Sequence, residues 1–97
     1  MSVDDLQITI AGVSFDRVSY DADADVLYLH VGDPSTAVEF DESPEGHHLR
    51  FDAAGRLVGI TLVGVQRDLE AGRRVIVTLP EPVEIGESEL RRLVQAA

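Results

Sequence analysis

Tyr20 to Val31, YDADADVLYLHV, sets three aspartates on alternate positions and follows them at once with β-branched, leucine and aromatic residues. The second half reads as a strand, because such side chains suit a pleated, half-buried surface and Asp33-Pro34-Ser35 then breaks the run. The aspartates are either a site or a reversal. An EF-hand calcium loop starting at Asp21 needs glycine at its sixth position and a bidentate glutamate at its twelfth, where this chain has Val26 and Gly32. Such a loop must also curl around its ion, whereas Val26 to Val31 should be extended and paired. Turn chemistry accounts for the pattern. Asp21 and Asp25 hydrogen-bond nearby backbone amides and Asp23 solvates the tip, so that a strand ending at Tyr20 folds back into one beginning at Val26.

The same period of two spreads outward from this reversal. Upstream, Leu6 to Ile10 and Val13 to Phe15 alternate apolar and polar, with Gly12 as a bend. Downstream, Thr36 to Asp41 puts Val38 and Phe40 on one face, and Glu42 to Gly46 breaks it. His47 to Asp52 then puts Leu49 and Phe51 on one side and His48 and Arg50 on the other, the pattern of antiparallel strands buried on one face. Asp52 and Gly55 supply the local hydrogen bonding and positive φ of a tight turn into Leu57 to Val63, where Val58, Ile60 and Leu62 share a face. Gly59 marks a place where an aromatic of a neighbouring strand, or another subunit, packs close. Gly64 to Gly72 reads as a loop with one helical turn. Arg74 to Leu79 is the last expected strand, stopped by Pro80-Glu81-Pro82. The tail from Glu87 places acids in its first turn and Leu90, Leu93 and Val94 three and four apart, an amphipathic helix that packing must hold. The expected architecture is α+β: one domain over residues 1–97, an antiparallel sheet of about five to seven strands, bent or partly rolled with hairpin connections, and one C-terminal helix.

Composition removes whole classes of chemistry. Without cysteine there is no disulfide, thiolate metal site or cysteine nucleophile. All eight bases are arginine, so a lysine P-loop or Schiff base is excluded. Eighteen acids bring the formal charge to −10, which repels phosphate backbones and suits a basic protein partner; no nucleic-acid partner is expected. The apolar 44% falls in runs far shorter than the ~20 residues of a membrane span, and acids near the N-terminus replace the basic region of an export signal. The expected location is cytoplasmic, away from membranes.

Tyr20-Asp21, Asp25, Leu27-Tyr28-Leu29 and the hairpin Phe51-Asp52-Ala53-Ala54-Gly55-Arg56-Leu57-Val58-Gly59-Ile60 resemble, in order and spacing, the small bacterial family called domain of unknown function 2283. The resemblance spans residues 20–63, and Thr61 stands where members often carry an acid. It implies a compact β-rich fold and no catalytic residue. Neighbourhood with toxin-like proteins implies an antitoxin or partner-binding role.

The remaining candidates are imidazoles. His47 and His48 point to opposite faces of a strand, so a metal would need His30 and His48 from different strands with an acid such as Glu39. Surface or strand-end histidines are the commoner reading. No serine sits in G-x-S-x-G, and Gly55, Gly59 and Gly64 have neither the spacing nor the helix of a dinucleotide fingerprint. No catalytic or cofactor-binding residue and no cofactor is expected. The function expected is a non-enzymatic interaction module, antitoxin-like, whose acidic surface binds a basic partner. A homodimer would cover the sheet edges that so small a core leaves open. The alternative is a small-molecule or metal-binding protein using His30, His48 and nearby acids.

Overall fold

The structure, a computed structural model, describes residues 6–97. The chain begins with a hairpin of β1 (Ile8–Ile10) and β2 (Val13–Phe15), turned by Ala11 and Gly12 at φ 52° and 80°. Two central residues at positive φ give the turn whose twist matches its flanking strands. Five strands follow: β3 (Arg17–Asp21), β4 (Val26–His30), β5 (Glu39–Glu42), β6 (His48–Phe51) and β7 (Leu57–Val63). They form one antiparallel sheet in the order β3-β4-β7-β6-β5. Helix α1 (Val65–Glu70), a second hairpin of β8 (Val75–Thr78) and β9 (Pro82–Ile85), and helix α2 (Glu87–Ala96) complete the described chain.

The α+β class, the antiparallel pairing and the C-terminal helix are as the sequence indicates. The single sheet of five to seven strands is corrected: the described strands form sheets of five, two and two. Alternation says which side chains point inward, but not which strands share a ladder, because a second layer offers a strand the same apolar surroundings as a neighbour in the sheet. Arg74 to Leu79, expected as the last strand, is followed by one more, which holds Val83 and Ile85. Pro82 is its first residue, opposite Thr78, where a missing N–H costs no ladder bond.

One apolar cluster joins these layers. Leu27, Leu29, Leu49, Ile60 and Leu62 line the inner face of the five-stranded sheet. Against them lie Ile8, Ile10 and Phe15 from the first hairpin, Val75, Val77 and Ile85 from the second, Val65 and Leu69 from α1, and Leu90 and Leu93 from α2. The stripe read on the tail is therefore the surface α2 buries. Its flank carries the helical ion pairs Arg91–Glu87 and Arg92–Glu89.

The aspartate reversal does more than turn the chain. Asp21 Oδ1 accepts from the amides of Asp23 and Ala24, closing the loop locally. Asp25 sits at φ 55°, and its carboxylate leaves the loop altogether, accepting from the amides of Gln66 at 2.8 Å and Arg67 at 3.0 Å and from the Tyr20 hydroxyl at 2.7 Å. Helix α1 starts at Gly64, which offers no side-chain cap, so Asp25 caps it from 41 residues away. Burial alone would raise the Asp25 pKa, but the bonds from Tyr20 and the two amides hold it below the ordinary value. Burial and that same bond push the Tyr20 hydroxyl up to about 12. At the other turn, the Asp52 carboxylate accepts from the amides of Ala54 and Arg56, and Gly55 takes φ 79°.

His47 is a core histidine. Its Nδ1 accepts from the Val63 amide at 3.1 Å, and burial lowers its pKa. Beside it, Glu45 clasps the amide and hydroxyl of Thr78 at 3.0 and 2.6 Å, tying the β5–β6 turn to the second hairpin.

Candidate functional site: the outer face of the five-stranded sheet

Opposite partners in an antiparallel ladder project to the same side, so the register defines what the outer face presents. One row runs Arg17, His30, Gly59, Arg50, Phe40; the next runs Ser19, Tyr28, Thr61, His48, Glu42. The hairpins and helices that make the core cluster pack on the other side.

Val38 and Phe40 are corrected here. Their alternation suggested a core-facing pair, but they are 55% and 68% exposed. Phe40 pairs with Arg50, on the side opposite Leu49, and the inward positions of β5 belong to Glu39 and Asp41. Together with Tyr28, 39% exposed, they are the large apolar side chains that the described residues leave open; register puts Tyr28 and Phe40 on this one face, and Val38 directly precedes β5. The Arg50 guanidinium stands 5.7 Å from the centre of the Phe40 ring, a cation–π arrangement.

The row centres on Gly59. A Cβ there would stand 2.9 Å from His30 Cδ2 and 3.1 Å from Arg50 Cβ. The ring that needs the glycine is thus the imidazole of the neighbouring strand, with the arginine stem closing from the other side. His30 is only 7% exposed. Its Nδ1 lies 2.9 Å from the Val31 carbonyl oxygen, which can only accept, so Nδ1 carries a proton and donates it. Nε2 is buried and has no hydrogen-bond partner among the described residues, a situation that costs about 1–3 kcal/mol.

The metal trio does not assemble. His30 and His48 lie on the same face but two strands and two residues apart, about 12 Å between backbones at ordinary sheet spacing. Glu39 points to the other side, opposite Phe51. Among the described residues no group of three or more His, Cys, Asp or Glu side chains is placed to hold a metal ion. Sequence reading passed over Arg50, Tyr28 and Thr61 as members of this surface. Alternation separated Arg50 from Leu49, but nothing in composition aligns it with His30 across β7.

A family described as protein of unknown function, DUF2283, matches residues 17–66, which is 50 of the 97 residues. The chain belongs to this family. The DUF2283 segment runs from the first residue of β3 to the second of α1, so it holds the entire five-stranded sheet and Gln66, whose amide Asp25 caps. The two small hairpins and α2, which cover the inner face, lie outside it. No curated protein and no solved structure shows a significant match to the chain. No described helix is long and apolar enough to cross a membrane.

Charge is unevenly spread around this face. Six of the eight arginines pair with carboxylates: Arg56, Arg67, Arg73, Arg74, Arg91 and Arg92. The two without an ion pair among the described residues, Arg17 and Arg50, both stand in the His30 row. At the far edge, β5 reads Glu39-Phe40-Asp41-Glu42, with every side chain exposed.

Proposed function

We propose that this DUF2283 protein is a non-enzymatic interaction module, and that its contact surface is the exposed β5 edge, where Phe40 and Glu42 on the outer side and Glu39 and Asp41 on the inner side are all open. The observation that carries the reading is the exposure of Phe40 and Val38 beside the acids of an edge strand. An exposed edge ordinarily carries charge to prevent pairing, and Glu39, Asp41 and Glu42 serve that end. A 68% exposed phenylalanine among them does the opposite, because it offers apolar area to whatever covers the edge. A protein partner fitting both features presents an apolar pocket for Phe40 flanked by basic side chains. The charged β5 edge gives little reason for two copies to pair edge to edge, so a homodimer, if formed, would use the apolar side of the face.

The test is affinity capture from the protein's own host with wild type, Phe40→Asp, and a Glu39→Gln, Asp41→Asn, Glu42→Gln triple variant. A stoichiometric basic protein retained by wild type and lost with either variant, more weakly held as salt rises, supports the proposal. A partner that both variants retain places the contact elsewhere and refutes it.

A further inference from the structure

On one side β5 closes the five-stranded sheet, and no described strand pairs with it there. The Ser43 amide donates to the His47 carbonyl at 2.8 Å, in step with the β5–β6 register, so Glu39, Asp41 and Ser43 turn their backbone groups toward β6 and the residues between them turn theirs away. The Glu42 amide is taken up by Asp41 Oδ1 at 2.8 Å, which leaves the N–H and C=O of Phe40 facing the open edge. Such groups are a template for one more strand. Beneath the inner side of the same edge lies a groove of about 410 Å³, running to the end of the second hairpin and lined by Leu49, Phe51, Leu57 and Leu79, with the exposed Asp41 on its wall. Glu39, on the same side of β5, pairs with Phe51. The inward positions of β5 thus set two carboxylates beside an apolar floor, where β4 and β7 carry leucine and isoleucine.

Resting on the contact proposed above, we infer that the partner docks as an extended basic strand added to β5, with lysine or arginine at alternate positions on the groove side and apolar residues on the Phe40 side. A long cationic side chain suits the groove side because it is apolar along its stem and charged at its tip. Its methylenes lie on the apolar floor while its head meets Asp41 or Glu39. Like charges directly opposite across a strand pair repel and opposite charges attract, so the acids that keep a second copy away admit a basic strand. On the outer side an apolar residue opposite Phe40 covers a ring that is 68% exposed, and Arg50 already supplies that ring with its cation. Main-chain bonds to Phe40 then give affinity, and the alternating side chains give selectivity.

NMR of the intact wild-type protein, titrated with a capped seven-residue peptide that alternates lysine and leucine, tests this. The peptide should saturate the protein, slow hydrogen exchange at the Phe40 amide and shift the side-chain signals of Leu49, Leu57 and Leu79, with affinity falling as salt rises. Replacing its lysines by 2,4-diaminobutyrate keeps the charge and removes two methylenes from each stem, which should weaken binding at least about tenfold. Binding that leaves the Phe40 amide and the groove signals unchanged, equal affinity for the short-stemmed peptide, or no binding at millimolar peptide overturns the inference. The capture experiment above stays separate from these outcomes, because a basic partner lost with Phe40→Asp establishes the edge contact whether or not it adds a strand.

Discussion

The two faces of the five-stranded sheet share a backbone and differ in what was left to cover them. On the inner face Leu27, Leu29, Leu49, Ile60 and Leu62 meet two hairpins and two helices, and every one is buried. On the outer face His30, Gly59 and Thr61 are buried among neighbours that include Arg50 and Pro34, while Tyr28 and Phe40 remain open. A strand places neighbouring residues on opposite sides whatever their chemistry. The inner face is therefore where the fold stores its stability. The outer face holds what stability does not require: an imidazole nitrogen and two arginines that find no partner among the described residues, and exposed rings.

Substitutions that separate the two faces sharpen this contrast. Leu62→Ala, at the centre of the inner face, should lower unfolding free energy by about 2–5 kcal/mol in urea denaturation, whereas Phe40→Ala on the outer face should change it by less than about 0.5 kcal/mol. Equal losses would mean that Phe40 is covered in solution. Gly59→Ala tests the outer row itself: the new methyl meets His30 Cδ2 at 2.9 Å and the backbone-proximal Cβ of Arg50 at 3.1 Å, so one of them must shift. The expected cost is about 1–3 kcal/mol, and His30→Ala in the same chain should recover much of it in a double-mutant cycle.

Asp25 joins the sheet to the helix that covers its inner face, so it reports on how the layers are held. Asparagine tolerates the positive φ of this position, and Asp25→Asn therefore removes mainly charge, at an expected cost of about 1–2 kcal/mol at neutral pH. The folded Asp25 pKa lies below its unfolded value near 3.9, so its contribution is complete above about pH 4 and is lost as pH falls through the folded pKa. Acid denaturation of the variant should be correspondingly less steep. At the alkaline end Tyr20, raised to about 12 from a model-compound value of 10.0, favours folding below pH 10 and loses that effect as pH climbs to 12. The smallest effect is expected far from both faces, where Ala11→Asn at φ 52° should stabilise by about 0.5 kcal/mol, because asparagine suits this turn better than alanine. Thermal melting detects it, and a destabilisation would show that Ala11 does not hold that conformation in solution.

The alternation around Tyr20 to Val31 and Phe51 to Val63 was enough to identify four strands and two reversals, because period and turn residues are local properties. The chemistry excluded by missing cysteine and lysine was equally plain, since composition needs no coordinates. Which face of β5 points outward was not legible: Val38-Glu39-Phe40-Asp41 alternates equally well in either orientation, and only pairing with Arg50 and Leu49 resolves it. The second task of Asp25 was hidden for a different reason, as its amide partners lie 41 and 42 residues on and backbone amides leave no mark in a sequence. The His30 row depends on both kinds of missing knowledge. Strand register sets His30 beside Gly59 and Arg50, and packing leaves Nε2 buried without a hydrogen-bond partner among the described residues. Short-range patterning thus determined the elements, while the long-range closure of the sheet decided which side chains meet on its outer face.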